Sequence, residues 1–306
     1  VTVAVSGSNL RVHSAAGGSS DTTARYGIAR CQLVYSSTTQ VNLNAVDDGS
    51  LEINGTVVTV DGTAAADQLT TSENLLSSTG TDSGGAMGAS TLYYVYRSNA
   101  SASYAASSTR ASATAPSTYR GAKYLGTSGN AAEWRFVGWV RTNGSTQFTD
   151  SITARLVISA HNARPLSLYT CPGYNNNNAA TTYATASTTW TSANGGTGSK
   201  LEYISDGIHD IEYDAVFMIV GNTSGGSCGG VGEDSTTTAA VNNVAPALVV
   251  GITMACGRAI AAQSVGYHYL ELLIRVDAGT TTYYSDYTRS GGGSDPRATF
   301  LKAQVW

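Results

Sequence analysis

The sequence predicts an all-β protein: two β-sandwich or jelly-roll-like domains with at most one short helix. Three observations lead there. Apolar and polar residues alternate with period two along most of the chain, the pattern of strands with one buried face. The connections are short and rich in Gly and Asn, as sandwich and jelly-roll layers require. At 306 residues the chain can bury two cores, and the composition shifts at Ala163-Arg164-Pro165. That shift divides residues 1–163 from residues 164–306.

The opening "VTVAVSGSNL" alternates as a strand does and lacks the basic and apolar regions of a signal peptide. Val41, Leu43 and Ala45 then alternate with Asn42 and Asn44. In "SLEINGTVVTV" the Asn54-Gly55 pair suits a two-residue turn with positive φ at both positions. That register puts Leu51, Ile53, Thr56, Val58 and Val60 on one face and Glu52, Val57 and Thr59 on the other. Residues Thr63–Ser77 are the one candidate for a short helix.

The run Tyr93–Tyr96 follows, aromatic on both sides of a strand, so both faces need large partners. One face can meet the chain's own core, and the other asks for a second sheet or a neighbouring subunit. "AAEWRFVGWVRTNGS" repeats this pattern. Strict alternation gives Trp134, Phe136 and Val140 to one face and Arg135, Val137, Trp139 and Arg141 to the other, with Asn143-Gly144 as the next turn. In the second half, "DIEYDAVFMIVGN", Val244–Gly257 and "GYHYLELLIRVDAG" read as strands. The last of these places His268, Leu270, Leu272, Ile274 and Val276 together. "ATFLKAQVW" closes the chain as a strand.

Charged residues make up 12% of the chain and the net charge is −4, against ~25% charged residues in an average domain. Lysine occurs only at positions 123, 200 and 302, so there is no basic footprint for nucleic acid. No apolar run approaches the ~20 residues of a membrane-spanning helix, so membrane insertion is not expected. The four cysteines, Cys31, Cys171, Cys228 and Cys256, form no C-x-x-C pair. They read as buried free thiols, with one or two disulfides as the alternative.

Two short matches to serine-hydrolase motifs are accidents of a Gly- and Ser-rich chain. "TDSGG" around Ser83 has only His13 upstream, in a polar setting, with His161 downstream, and "GGSCG" around Ser227 is not followed by a helical pattern. No enzyme is expected. Asp210, Glu212 and Asp214 alternate onto one strand face, where three carboxylates suit Ca²⁺. The competing expectation is a solvated face partnered by basic residues, with no cofactor. His268 reads as a core or interface histidine. Tyr174, Tyr183 and Trp190 stand among Asn, Thr and Ser, the mixture of flat rings and amides that suits a glycan.

The segments "LRVHSAAGG", "LEINGTVVTV", "STLYYVYRSNASASYAASSTRASATAP", "YRGAKYLGT" and "WRFVGWVRTNGSTQFTDS" together resemble a β-rich module of tailed-bacteriophage virion proteins of the tail-fibre type. The likeness covers about residues 10–160. The second half is similar only generically to the jelly-roll tips of phage fibres. The resemblance implies a virion component on the particle exterior, a tail fibre, head fibre or decoration protein. Its partners would be other virion proteins and a host-surface glycan, and it would assemble as a homo-oligomer, a trimer. A fibre-borne glycan depolymerase or a secreted lectin-like filament protein is the alternative.

Overall fold

A computed structural model describes residues 2–6, 9–13, 28–73, 75–99, 104–112, 122–126, 130, 133–172, 182–196, 198–220, 225–245, 252–284, 288–289, 293–294 and 299–305. Strands account for 54% of the chain and helical turns for 4%, and no helix reaches seven residues among those described. The all-β expectation is met, with sheets arranged as sandwiches.

The first sandwich packs two layers around one core. One layer holds Cys31–Ser37, Gln40–Ala45 and Gln68–Thr70 in that order, with the hairpin Ser50–Ile53 and Thr56–Thr59 beside it. The other runs Ala111–Ser112, Tyr124–Leu125, Trp134–Arg141, Leu92–Ser98, Tyr104–Ser107, with Val157–Ser159 also paired to Trp134–Arg141. Leu33, Val41, Leu43, Leu51, Ile53, Leu69, Tyr93, Val95, Val137, Val140 and Phe148 fill the space between them. The longer strands contribute alternate residues to this core, apart from Trp134–Arg141.

The Asn54-Gly55 hairpin forms as the sequence predicts. Leu51 faces Val58 and Ile53 faces Thr56 across the ladder, and the turn residues adopt φ of 46° and 87°. The expected helix at Thr63–Ser77 does not form. Only Ala65–Asp67 make a 3₁₀ turn, and Gln68–Thr70 continue as a strand. The Asp61 carboxylate accepts hydrogen bonds from the backbone N–H groups of Thr63 and Ala64, both at 2.8 Å. This local bonding tightens the chain into a turn, and Leu69 then buries in the three-stranded layer. The Asn143-Gly144 turn is also longer than expected. Asn143 N donates to Gln147 O at 2.8 Å, and the positive φ falls on Thr146 at 58°.

In the second sandwich, one sheet holds Ala154–Arg155, Lys200–Ser205, Gly266–Val276, Ser227–Glu233 and Val241–Ala245. The other holds Leu166–Thr170, Phe300–Val305, Ile211–Val220, Thr281–Tyr284 and Thr182–Thr185, with Ile252–Ala261 along Ile211–Val220. Leu270, Leu272 and Ile274 enter the shared core as predicted, against Tyr213, Phe217 and Leu301. The proposed Val244–Gly257 strand is divided. Its ends belong to Val241–Ala245 and Ile252–Ala261, and residues 246–251 lie outside the described set.

The halves interlock through residues 152–155. Ala154–Arg155 pair in parallel with Glu202–Tyr203, Thr153 O accepts from Glu202 N at 2.9 Å, and Ile152 O accepts from Tyr169 N at 2.8 Å. One short segment thus satisfies backbone groups at the edges of both second-half sheets. It also brings Ile204, Val265 and Tyr267 against Tyr96, Trp139, Leu156 and Ile158. Arg141 lies over the Tyr267 ring at 3.6 Å.

Of the two covers expected for the second face of the aromatic strand, a second sheet or a neighbouring subunit, this junction supplies the first. Tyr93 and Val95 face the first core, while Tyr96 and the half-buried Tyr94 face a cluster that the second half helps to close. One chain covers both faces. Cys31 and Cys228 are free thiols; the side chain of Cys256 lies outside the described set.

Candidate functional site

A bulge in the strand Trp134–Arg141 builds the site. Trp134 to Phe136 pair with Ser98 to Tyr96, and the register then slips so that Gly138 pairs with Val95. The extra residue reverses the alternation. The faces expected from strict alternation are therefore wrong beyond Val137: Trp134, Phe136 and Trp139 share one side, and Val137 and Val140 the other. Gly138 is required there, because a Cβ at that position would stand 2.3 Å from the carbonyl oxygen of Ile158 and 2.9 Å from Leu33.

With the alternation reversed, the Phe136 and Trp139 rings meet edge to face, 4.6 Å apart at 77°. Tyr94 and Tyr96 lie 6.2 Å and 5.8 Å from Phe136. The result is one connected aromatic cluster on the sheet. A cleft of about 390 Å³ opens beside it, walled by Tyr94, Phe136 and Trp139 and closed on one side by Val265 from the second half. Arg110, Ser112 and Lys123 line the rest.

Phe136 N donates to Lys123 O at 2.9 Å, which fixes the Lys123 backbone beside the aromatic strand. Ser112 is held opposite Tyr124 in the outer hairpin. Arg110 and Lys123 are exposed, and among the described residues no acidic side chain lines the cleft. Trp139 is 5% exposed, and its indole N–H is buried without an acceptor. His161 adds no charge here at neutral pH. Burial, with help from the Arg135 charge, pushes its pKa down to about 4, and its Nε2 lies 3.3 Å from Phe136 O. The local field is that of two cations over an aromatic floor.

Of the residues first singled out for a glycan, Tyr183 and Trp190 are described. Tyr174 and Asn175–Asn178 lie outside the described set. Tyr183 is a core ring and not a loop ring: it is 8% exposed and stacks on Tyr283, with centroids 5.6 Å apart and planes 3° apart. The strand Thr182–Thr185 pairs with Thr281–Tyr284 and turns Tyr183 inward. Trp190 is half-buried, with Arg275 at 5.2 Å from its ring.

Asp210 is exposed just before the strand Ile211–Val220. Glu212 and Asp214 line a groove of about 130 Å³ together with Lys302 and Gln304, their partners in the ladder. The Lys302 ammonium supplies positive charge there. No group of three or more His, Cys, Asp or Glu side chains suited to a metal ion occurs among the described residues.

His268 is 8% exposed, and both of its ring nitrogens meet acceptors: Asp234 Oδ2 at 2.6 Å and Ser264 O at 2.9 Å. It acts as a structural clasp between Gly266–Val276 and the turn after Ser227–Glu233. Ser83 Oγ donates to Leu75 O at 2.6 Å. Ser227 is buried and hydrogen-bonds to Thr281. Each hydroxyl is engaged in a turn or core contact.

Among known proteins, no family model and no curated sequence matches the chain.

Proposed function

We propose that this protein is a structural component of the exterior of a tailed-bacteriophage particle, of tail-fibre, head-fibre or decoration type, assembling as a symmetric trimer. The observation that carries this reading is where the resembling segments fall. The Tyr-Tyr-Val-Tyr strand, the small-residue hairpin, the "KYLG" strand and the "GWVR" strand are all members of one sheet. "LEINGTVVTV" forms a separate hairpin whose Leu51 and Ile53 enter the same core, and the "LRVH" strand lies in another two-stranded sheet.

The chemistry of the chain suits such a role. Its surface is solvated largely by hydroxyls and amides, with only 12% charged residues, and its buried ions serve structure. Arg97 pairs with Asp67 at 2.9 Å, and Arg135 donates to the carbonyls of Ile28 and Glu52. The trimer rests on the resemblance and on the general preference of repeated exterior proteins for closed symmetry. Covered aromatic faces do not argue for it.

The test is co-purification. In density-gradient-purified particles from cells carrying the gene, quantitative mass spectrometry should find the chain in a fixed copy number divisible by three. A chain that stays in the soluble fraction overturns the proposal.

A further inference from the structure

We propose that the cleft between Tyr94, Phe136, Trp139, Arg110 and Lys123 binds a carboxylate-bearing saccharide residue. The inference stands on the cleft itself and is tested on the isolated chain, so its outcome is independent of whether the chain belongs to a particle. Its volume of about 390 Å³ lies within the roughly 300–1,000 Å³ of small-molecule sites. That is room for a sugar ring or two and not for a protein segment.

The lining divides into two chemistries. Tyr94, half-buried, offers aromatic surface to the C–H face of a pyranose, with the Phe136 and Trp139 rings buried behind it. One exposed ring gives a single floor and not a slot between parallel rings. A flat base would be stacked on one side only, whereas a pyranose needs only one apolar face and turns its hydroxyls outward.

Arg110 and Lys123 supply the second chemistry. Among the described residues neither has an acidic partner, and no carboxylate lines the cleft. Two cations over an aromatic floor complement a ring bearing one negative charge. A polyanion is a poor fit, since lysine occurs only three times in the chain and the net charge is −4. The Ser112 hydroxyl is the polar group that fixes orientation in such a site.

Isothermal titration calorimetry on the purified protein tests this with trigalacturonate, a glucuronate-terminated disaccharide and N-acetylneuraminyl-lactose. Methyl-esterified trigalacturonate and uridine monophosphate serve as comparators. At least one carboxylated probe should bind, and where trigalacturonate binds its ester should bind at least tenfold more weakly. Arg110→Gln combined with Lys123→Gln should weaken binding tenfold or more and leave the melting temperature unchanged, because both side chains are exposed. Tyr94→Ala should weaken it similarly.

Four results would overturn the proposal: no binding by any carboxylated probe, equal binding of acid and ester, full affinity in the double Gln variant, or uridine monophosphate binding in place of every saccharide. So would protection of Lys123 from acetylation in the saccharide-free oligomer, which would make the cleft a subunit contact.

Discussion

Replacing Arg97 with Met is the sharpest test of how the first sandwich holds together. Arg97 Nε lies 2.9 Å from Asp67 Oδ1, with the two side chains 4% and 3% exposed. The other Asp67 oxygen accepts from Asp61 N at 3.0 Å, and Arg97 also donates to Ser98 O at 2.9 Å. The pair joins the 3₁₀ turn to the aromatic strand across the core. Removing one member leaves a buried carboxylate with only a backbone amide, which costs about 3–5 kcal/mol. At ~2–4 °C per kcal/mol in a domain of this size, the first sandwich should melt roughly 6–20 °C earlier.

The double variant Arg97→Met, Asp67→Leu removes both charges. It leaves the Asp61 N–H unpaired, at about 1–3 kcal/mol, and should recover at least ~1 kcal/mol relative to the single Arg97→Met change. Urea titration followed by near-ultraviolet circular dichroism reads all the variants. A cost below about 1 kcal/mol for Arg97→Met, or a double variant less stable than the two single changes summed, would refute the reasoning.

Gly138→Ala should destabilise by several kcal/mol, on the order of an overpacked core, because its Cβ would stand 2.3 Å from Ile158 O; wild-type stability in urea would count against the bulge. His161, its pKa lowered to about 4 in the fold from ~6.5 unfolded, must stay neutral, so its contribution is complete above pH ~6.5 and is lost as pH falls toward 4. His161→Gln should flatten that acid limb by about 1–3 kcal/mol after allowing for partial exposure. Asp150 slopes the other way: burial raises its pKa to about 6 against the pull of Arg155, so it costs stability as pH rises through that range. Asp150→Asn should then stabilise the protein at pH 7 by roughly 1–3 kcal/mol, and a loss instead would show that its charge is needed for Arg155. Sedimentation equilibrium at micromolar concentration should give three times the 31.5 kDa chain mass, and a folded monomer would remove the trimer.

Local chemistry that agreed with itself was legible in the sequence. At Asn54-Gly55 the turn residues and the flanking alternation demand the same register, and the hairpin follows. Gly266–Val276 runs unbroken, so its core face could be read directly. The cleft could not, because it depends on one extra residue between Phe136 and Gly138 that reverses the faces of Trp139 and Val140. A glycine inside an aromatic strand was the only signal. Its cationic residues, Arg110 and Lys123, reach the rings only through the outer hairpin. Tyr183 misled for the opposite reason: its polar neighbours are the Thr residues of a short strand whose other face is core. The cover over Tyr94 and Tyr96 comes from Val265 and Tyr267, a contact between the two halves that no local pattern encodes.

Immunogold labelling of intact, negatively stained particles from cells carrying the gene tests the central claim most directly. An antibody against the exposed turn at Asn54-Gly55 should place gold at fixed, repeated positions on the particle surface. Unlabelled particles, with the antigen recovered only from the soluble lysate, would contradict it.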